Sequence, residues 1–291
     1  MKSFLEKQIL ITGADRGIGF HFCSTLLEKG HKVWAGVKEL KSNEQVGLNS
    51  LLDKHPKKLK IVPLDVTSPR DIDNLVGEID IQLNSEFILI NNAGLPGAAL
   101  PVEVLRSEIW QETFAVNFFA VVNLTQAFLP TLRKTKGRVI NIGSITGDIA
   151  VPMSGAYCSS KFALRGFNDC LRRELQAFGV RVIFMQVEAL KTPIWQEYQK
   201  KSMQELEACE AEGIAIYHDA IERNHAFVQS EAEHAGSIDC LNKPILHSVQ
   251  SARPKKYYHP GGSNWVLSRI LPASWIDRIL DAKINSQKSE S

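Results

Sequence analysis

The sequence predicts an α/β fold, a doubly wound parallel sheet flanked by helices. Three observations point to it. Short apolar runs alternate with helix-period segments through the first two-thirds of the chain. Those runs are hydrophobic at nearly every position, as strands covered on both faces must be. A glycine-rich turn also stands at the first strand-to-helix junction, where sheets of this kind bind ligands. At 291 residues, 44% of them hydrophobic, the chain can bury a sizeable core. It reads as one domain over residues 1–291.

The strands expected in order are Ile9–Ile11, Val33–Val37, Leu59–Leu64, Phe87–Asn91, Arg138–Ile142 and Val180–Val187. Between them, Ile18, Phe22 and Leu26 recur every four residues, as do Phe167, Leu171 and Leu175. Each set marks the buried face of a helix. Gly30 and Gly179 follow two of these helices, where a left-handed cap is wanted. From Pro193 to about Gln250 the pattern loosens into a polar stretch with helical patches such as Met203–Cys209. This stretch, 193–250, reads as an insertion covering a ligand site, with Ile194, Trp195, Met203 and Leu206 as candidate apolar walls. A last strand is expected near Lys256–His259. Pro260-Gly-Gly then breaks the chain before a C-terminal extension, 260–291. There Trp265, Leu267, Ile270, Leu271, Trp275, Ile276, Ile279 and Leu280 form an apolar stripe. Packing on the domain or a partner subunit is favoured over a membrane-surface helix for it.

Thr12-Gly13-Ala14-Asp15-Arg16-Gly17-Ile18-Gly19 follows the first strand and opens the first helix. Gly13 allows the sharp exit from the strand. Gly17 and Gly19 lack the Cβ atoms that would hold a pyrophosphate away from N–H groups at the helix start. A site for NAD usually has an acid ending the second strand, to grip the ribose 2′-OH. Here that strand ends Val37-Lys38, and Arg16 adds a second cation that can face a 2′-phosphate. Glu39 argues the other way, and both cations have an ordinary solvated alternative. The balance favours NADP(H) over NAD(H).

Tyr157-Cys-Ser-Ser-Lys161 carries the sharpest chemical signal. Residues four apart on a helix share one face. A phenol titrating near ~10 is a poor acid–base group at neutral pH unless a neighbouring ammonium lowers its pKa. Alone, this spacing also describes an ordinary surface pair. Ser144 stands thirteen residues upstream, just past a strand, where its hydroxyl can hold a substrate oxygen. Asn91-Asn92-Ala93-Gly94 closes the fourth strand and Asp65 the third. Asn117 lies in the apolar segment Thr113–Leu124, where a buried amide is costly unless hydrogen-bonded. The plain alternatives are a structural contact within that helix for Asn117 and a helix cap before Pro69 for Asp65.

Taken in order, Thr-Gly-x-x-x-Gly-x-Gly, Asp65, Asn-Asn-Ala-Gly, Asn117, Ser144 and Tyr-x-x-x-Lys resemble the short-chain dehydrogenase/reductase family. Within it, the chain looks most like reductases of the steroid and retinol dehydrogenase type. The resemblance is close over residues 7–192 and looser beyond. It implies a Rossmann-like sheet and an enzyme moving a hydride between a nicotinamide cofactor and a small-molecule carbonyl or alcohol, often bulky and apolar. It implies Tyr157 as general acid–base, Lys161 as its pKa tuner and ribose anchor, and Ser144 as substrate orienter. Asn117 would hold a water linking Lys161 to a proton relay. Asp65 and Asn92 would line the adenine side, with Val66, Ala93 and Gly94 beside them. Gly13, Gly17, Ile18 and Gly19 would meet the pyrophosphate and Thr192 the carboxamide, with Arg16 and Lys38 the two cations placed for a 2′-phosphate. A homodimer or homotetramer through helices matching Thr113–Leu132 and Ser154–Phe178 is implied as well.

One departure stands out. Where the family has Pro-Gly four residues before the equivalent of Thr192, this chain has Val187-Glu188. If inward, Glu188 favours the cationic oxidised cofactor; the alternative turns it to water. The same departure supports a rival function, a cofactor-binding sensor or assembly protein with little turnover. The complete set Asn117, Ser144, Tyr157 and Lys161 counts against that rival.

Other classes are disfavoured. Net charge is +2 with scattered Lys and Arg, which argues against a nucleic-acid partner. No Cys-x-x-Cys or His-Glu-x-x-His occurs, so no metal site is expected. Five widely spaced cysteines read as reduced thiols. No secretory signal and no apolar stretch long enough to span a bilayer is read, so a cytoplasmic protein is expected.

Overall fold

The computed structural model describes residues 6–40, 46–79, 81–82, 84–209, 214–262, 266 and 270–285. Its centre is a seven-stranded sheet of β1 (Gln8–Thr12), β2 (Lys32–Val37), β3 (Leu59–Pro63), β4 (Phe87–Asn91), β5 (Arg138–Ser144), β6 (Arg181–Val187) and β7 (Tyr257–Tyr258). The spatial order is β3-β2-β1-β4-β5-β6-β7, and every neighbouring pair is parallel. The chain thus builds outward from β1 to one side, then returns to build from β4 to the other. The C-terminal ends of β1 and β4 flank the switch point, where such sheets open a ligand crevice.

Alternation along each strand divides the core into two layers. Ile9, Ile11, Val33 and Ile88 pack against Phe22 and Leu26 of helix α1 (Gly17–Glu28) and against Ile245 and Val249. Leu10, Leu89 and Val139 point the other way, onto Phe128, Leu132, Leu171 and Leu175. Every residue of β1 and of β4 is buried, which explains why these strands show no polar alternation in sequence. Gly30 and Gly179 take φ of +83° and +74°, the left-handed caps expected. At the start of β4, Glu86 accepts from Arg138 Nε at 2.6 Å and from Lys7 Nζ at 2.6 Å. Burial alone would raise the Glu86 carboxyl, but these two cations hold it below the usual range.

Helices α2 (Val46–Lys54) and α3 (Pro69–Glu78) follow β2 and β3, and three further helices bear on the site. The first runs from Ser107 to Thr135, as α4 (Ser107–Phe114), a π-helical turn at Ala115–Phe119, and α5 (Ala120–Thr135). By length and composition this helix is apolar enough to cross a membrane, which corrects the sequence-based expectation of no such stretch. Its apolarity is of the kind a core helix has, because Val121, Leu124, Phe128 and Leu132 are buried inside the protein. The second helix, α6 (Gly155–Leu175), carries Tyr157 and Lys161. The third, α7 (Ile194–Glu207), opens the polar insertion, which is far more helical than its sequence suggests. It continues through α8 (His218–Glu233) and α9 (Asn242–Gln250).

The C-terminal helix α10 (Ala273–Asn285) has no fully buried residue, and Lys283 Nζ joins it to Glu231 of α8 at 3.1 Å. Ile270, Trp275 and Ile279 of the expected stripe are exposed. Trp265 and Leu267 lie outside the described residues.

Candidate active site

The glycine turn is built by close approach. A Cβ on Gly19 would overlap the Gly13 carbonyl oxygen and stand 2.7 Å from Asn92 Nδ2, so no other residue fits there. Gly13 and Gly17 take φ of +60° and +53°. Asn92 holds the turn from β4: its Nδ2 donates to the Thr12 and Gly13 carbonyls at 2.9 and 3.0 Å. Thr12 Oγ1 in return accepts from the Asn92 and Ala93 amides at 3.0 and 2.9 Å. The Asn92 amide thus serves the turn rather than facing the adenine side directly. Arg16, the residue before α1, puts no side-chain cap on the first N–H groups of the helix, which stay available to an anion. Thr192 and Pro193 sit over Gly17, whose Cβ would lie 3.7 Å from each. Thr12, Val66, Ala93 and Val116 line a small crevice beside the turn. A dinucleotide fits this arrangement.

Both cations singled out in the sequence hold carboxylates. Lys38 Nζ lies 3.1 Å from Asp65 Oδ2, and Arg16 Nη2 lies 3.1 Å from Glu197 Oε1 on α7. Burial alone would raise the Asp65 carboxyl, yet bonds from Thr67 and Lys38 outweigh it and keep the group low. Asp65 is not the cap of the following helix; Ser68 is, accepting from the Asp71 amide at 3.2 Å.

Tyr157 and Lys161 share one face of α6, with Lys161 Nζ 5.6 Å from the Tyr157 ring centroid. Ser144, at the end of β5, lies by the Tyr157 side chain and draws the phenol's pKa down. It also accepts from Thr146 Oγ1 at 2.9 Å. The three groups therefore meet on the crevice side of the sheet. The expected electrostatics are not those found. Burial pushes the Tyr157 phenol up to about 12, against the lowering effect of Ser144. Burial brings the Lys161 ammonium down to about 8. Lys161 donates to the Ile142 carbonyl at 3.3 Å. Desolvation is the largest influence on both groups here.

Asn117 occupies the π-helical turn and is wholly buried. Its amide does not bond within its own helix, as the plain alternative had it. Oδ1 accepts from the Leu95 amide at 2.8 Å, and Nδ2 donates to the Leu95 carbonyl at 2.9 Å and Ser160 Oγ at 3.0 Å. These bonds join the loop after β4 to α6. A Cβ on Gly94 would lie 3.2 Å from Asn117 Oδ1 and 3.7 Å from Lys161 Nζ, so Gly94 keeps the two close. Asn91 belongs to the core instead, donating to Asn141 Oδ1 at 2.8 Å.

Helix α7 lies closed over the site. Ser202 Oγ accepts from the Ala99 amide at 2.7 Å. Arg106 binds Glu205 in bidentate fashion at 2.9 and 3.0 Å. Tyr198, which sequence patterning passes over, is buried with its hydroxyl 2.5 Å from Ser154 Oγ, three residues before Tyr157. Of the walls expected from sequence, Trp195 and Leu206 pack inward, whereas Met203 is 58% exposed. Its place on the helix turns it to water.

Glu188 is neither aimed at the cofactor crevice nor simply turned to water. Its amide meets the Pro260 carbonyl at 3.4 Å, and a Cβ on Gly262 would overlap its carboxylate. The side chain closes on the turn that follows β7.

The short chain dehydrogenase family model matches residues 7–203. The chain belongs to that family, enzymes that interconvert alcohols and carbonyls with a nicotinamide cofactor. It is 30% identical to estradiol 17-beta-dehydrogenase 2 of Mus musculus, over 94% of this chain and 74% of that one. It is 31% identical to the mitochondrial D-beta-hydroxybutyrate dehydrogenase of Rattus norvegicus, over 90% of this chain and 78% of the other. Among solved structures, a short-chain dehydrogenase from Streptomyces avermitilis superposes with a TM-score of 0.75 at 20% identity, covering 98% and 99% of the two chains. One from Burkholderia cenocepacia in complex with NADP gives 0.69 at 22%, covering 96% and 97%. One from Burkholderia phymatum in complex with NAD gives 0.73 at 18%, covering 93% and 94%. At these identities the structures speak for the fold.

Proposed function

We propose that the chain is an NADP(H)-dependent oxidoreductase acting on an apolar carbonyl or alcohol substrate. The observation that carries this is the meeting of Ser144, Tyr157 and Lys161 beside the glycine turn. When bound, the cofactor supplies hydride to, or takes it from, the substrate carbon. Ser144 Oγ holds the substrate oxygen, and the Tyr157 hydroxyl gives the proton in reduction and takes it in oxidation. Lys161 holds the ribose beside Tyr157, its ammonium standing against the phenol ring. Asn117, tied to Leu95 and Ser160, keeps α6 and the loop after β4 in register. Gly13, Gly17, Ile18 and Gly19 hold the phosphates, Val66, Ala93 and Gly94 the adenine side, and Thr192 the carboxamide. The whole chain acts as one catalytic domain, with 193–250 as the substrate cover and 260–291 as a C-terminal extension. A cytoplasmic location fits its five unpaired thiols.

NADP(H) is preferred to NAD(H) on the ground of Lys38 and Arg16. Their present ion pairs are weak obstacles, since Lys38 is 70% exposed and Arg16 41%. Either cation can exchange its carboxylate for a 2′-phosphate. The test is a screen of ketones and aldehydes with NADPH and with NADH, run on wild type and Lys38→Glu. Turnover should favour NADPH, and the substitution should cut that preference by about 10-fold or more. A wild type that prefers NADH, or a ratio untouched by the substitution, overturns the cofactor assignment. Absence of turnover with every carbonyl overturns the activity.

A homodimer or homotetramer through the Ser107–Thr135 and Gly155–Leu175 helices belongs to the same proposal. Phe119 and Phe162, 55% and 44% exposed on these two helices, offer apolar surface for it. Sedimentation at micromolar concentration should show an oligomer that Phe119→Glu dissociates; a monomeric wild type refutes it.

A further inference from the structure

The two cations on which the cofactor assignment rests are held by carboxylates of different standing. Lys38 pairs with Asp65, and both stand just past the ends of the paired strands β2 and β3. Releasing Lys38 therefore disturbs nothing beyond that corner of the sheet. Arg16 pairs instead with the cover: its Nη2 lies 3.1 Å from Glu197 Oε1, in the first turn of α7. Asp15 stands further off, 3.8 Å from Arg16 Nε. Arg16 is 41% exposed and Glu197 31%, so an anion arriving from solvent can reach the pair.

The pair sits where the cover meets the phosphate turn, with Thr192 and Pro193 over Gly17 beside it. The lead-in to α7 is held by backbone bonds: the Lys191 amide donates to the Gly236 carbonyl at 2.9 Å, and the Gly236 amide to Ala189 at 2.9 Å. Trp195 Nε1 ties the first turn to that lead-in, donating to the Leu190 carbonyl at 2.9 Å. Further along, the helix is fastened to the substrate side, through Tyr198 to Ser154, Ser202 to Ala99 and Glu205 to Arg106. Helix α7 is thus a beam with one end on the cofactor turn and its length on the catalytic side. Glu197 and Tyr198 are consecutive, so the two attachments meet within one turn.

A phosphate monoester carries close to two negative charges at neutral pH, a carboxylate one. Two anions on one guanidinium repel each other, and the guanidinium forks more strongly onto the phosphate. Glu197 is not stranded by the exchange, because a carboxylate in the first turn is stabilised by the helix N-terminus. The phosphates common to NAD and NADP have the uncapped N–H groups of α1 to bind, which leaves Arg16 to the 2′-phosphate.

We infer that Glu197 is a positioning residue that clasps the cover to the phosphate turn through Arg16, and that the cofactor's 2′-phosphate opens this clasp. The inference rests on the NADP(H) reading of the same site. With NAD(H) the cover stays clasped; with NADP(H) the first turn of α7 is free to yield.

The test uses 2′,5′-ADP and 5′-AMP, which differ only in the 2′-phosphate, and reads hydrogen exchange and dissociation constants rather than turnover. At saturation, α7 amides of the wild type should exchange about 3-fold faster with 2′,5′-ADP than with 5′-AMP, the worth of an exposed ion pair. Glu197→Gln should exchange at the faster rate with both nucleotides. It should also bind 2′,5′-ADP about 3-fold tighter than wild type, with its affinity for 5′-AMP unchanged. Equal exchange with the two nucleotides in the wild type, or slower exchange with 2′,5′-ADP, overturns the clasp. So does a Glu197→Gln variant that gains nothing for 2′,5′-ADP, or gains as much for 5′-AMP. The affinities keep the two ideas apart. Wild type that binds 2′,5′-ADP more tightly than 5′-AMP while α7 exchange stays put sinks the clasp and leaves the NADP(H) assignment standing. Wild type that binds the two alike sinks both.

Discussion

Tyr157→Phe is expected to lower kcat/KM for carbonyl reduction by about 1,000-fold, within the range that general acid–base groups contribute. Cofactor affinity should change little, because the phosphate turn is assembled from β1, α1 and Asn92, none of which Tyr157 touches. The pH dependence should differ between the two directions. With the phenol pushed up to about 12, the proton donor for reduction is present throughout the neutral range. Oxidation instead needs the phenolate, so its rate should climb with pH between about 6 and 9. Steady-state rates in both directions check this. A Phe variant keeping a tenth of wild-type turnover, or a flat profile for oxidation, removes Tyr157 from the acid–base role.

Lys161→Met should do two things at once: cut kcat/KM by about 100-fold and make the cofactor-free protein more stable. Lys161 is 6% exposed, and burial lowers its pKa from 10.5 to about 8. The folded state thus sheds this proton more readily than the unfolded state. Between about pH 8 and 10.5 the unfolded chain binds more protons, so stability attributable to this group rises with pH across that window. Below pH 8 the penalty is present in full, on the order of 3 kcal/mol. Loss of the Ile142 bond offsets roughly 1 kcal/mol of the gain in the variant. Denaturant unfolding at pH 7 and pH 10 is the measurement. The variant should lead at pH 7 and lose most of that lead at pH 10. A lead that ignores pH, or none at all, shows that the buried ammonium is not strained.

The sheet was legible in sequence because parallel strands buried on both faces leave near-continuous apolar runs. Each of the expected runs, from Ile9–Ile11 to Lys256–His259, overlaps an observed strand, with ends that differ by up to two residues. Helix α6 was legible through the spacing of Phe167, Leu171 and Leu175, and the same periodicity put Tyr157 and Lys161 on one side. What spacing does not encode is where a side chain's partner comes from. Glu197 reaches Arg16 from a helix far along the chain, and the Lys161 ammonium is claimed by a carbonyl of β5. The π-helical turn at Asn117 leaves no mark in the periodicity, because one widened turn hardly displaces the apolar face. Tyr198 was missed because a single aromatic in a polar amphipathic segment resembles any surface-helix tyrosine. Only its depth and its Ser154 neighbour set it apart.

Glu188 and Gly262 have a consequence for how this chain can vary. The carboxylate occupies the volume that a side chain at 262 would enter, so the two positions are neighbours although 74 residues separate them. A descendant that acquires a side chain at 262 displaces the carboxylate, and the far end of a glutamate swings aside at little cost. The glycine can therefore change before the acid does, and what is lost is the seat of Glu188 on the turn after β7.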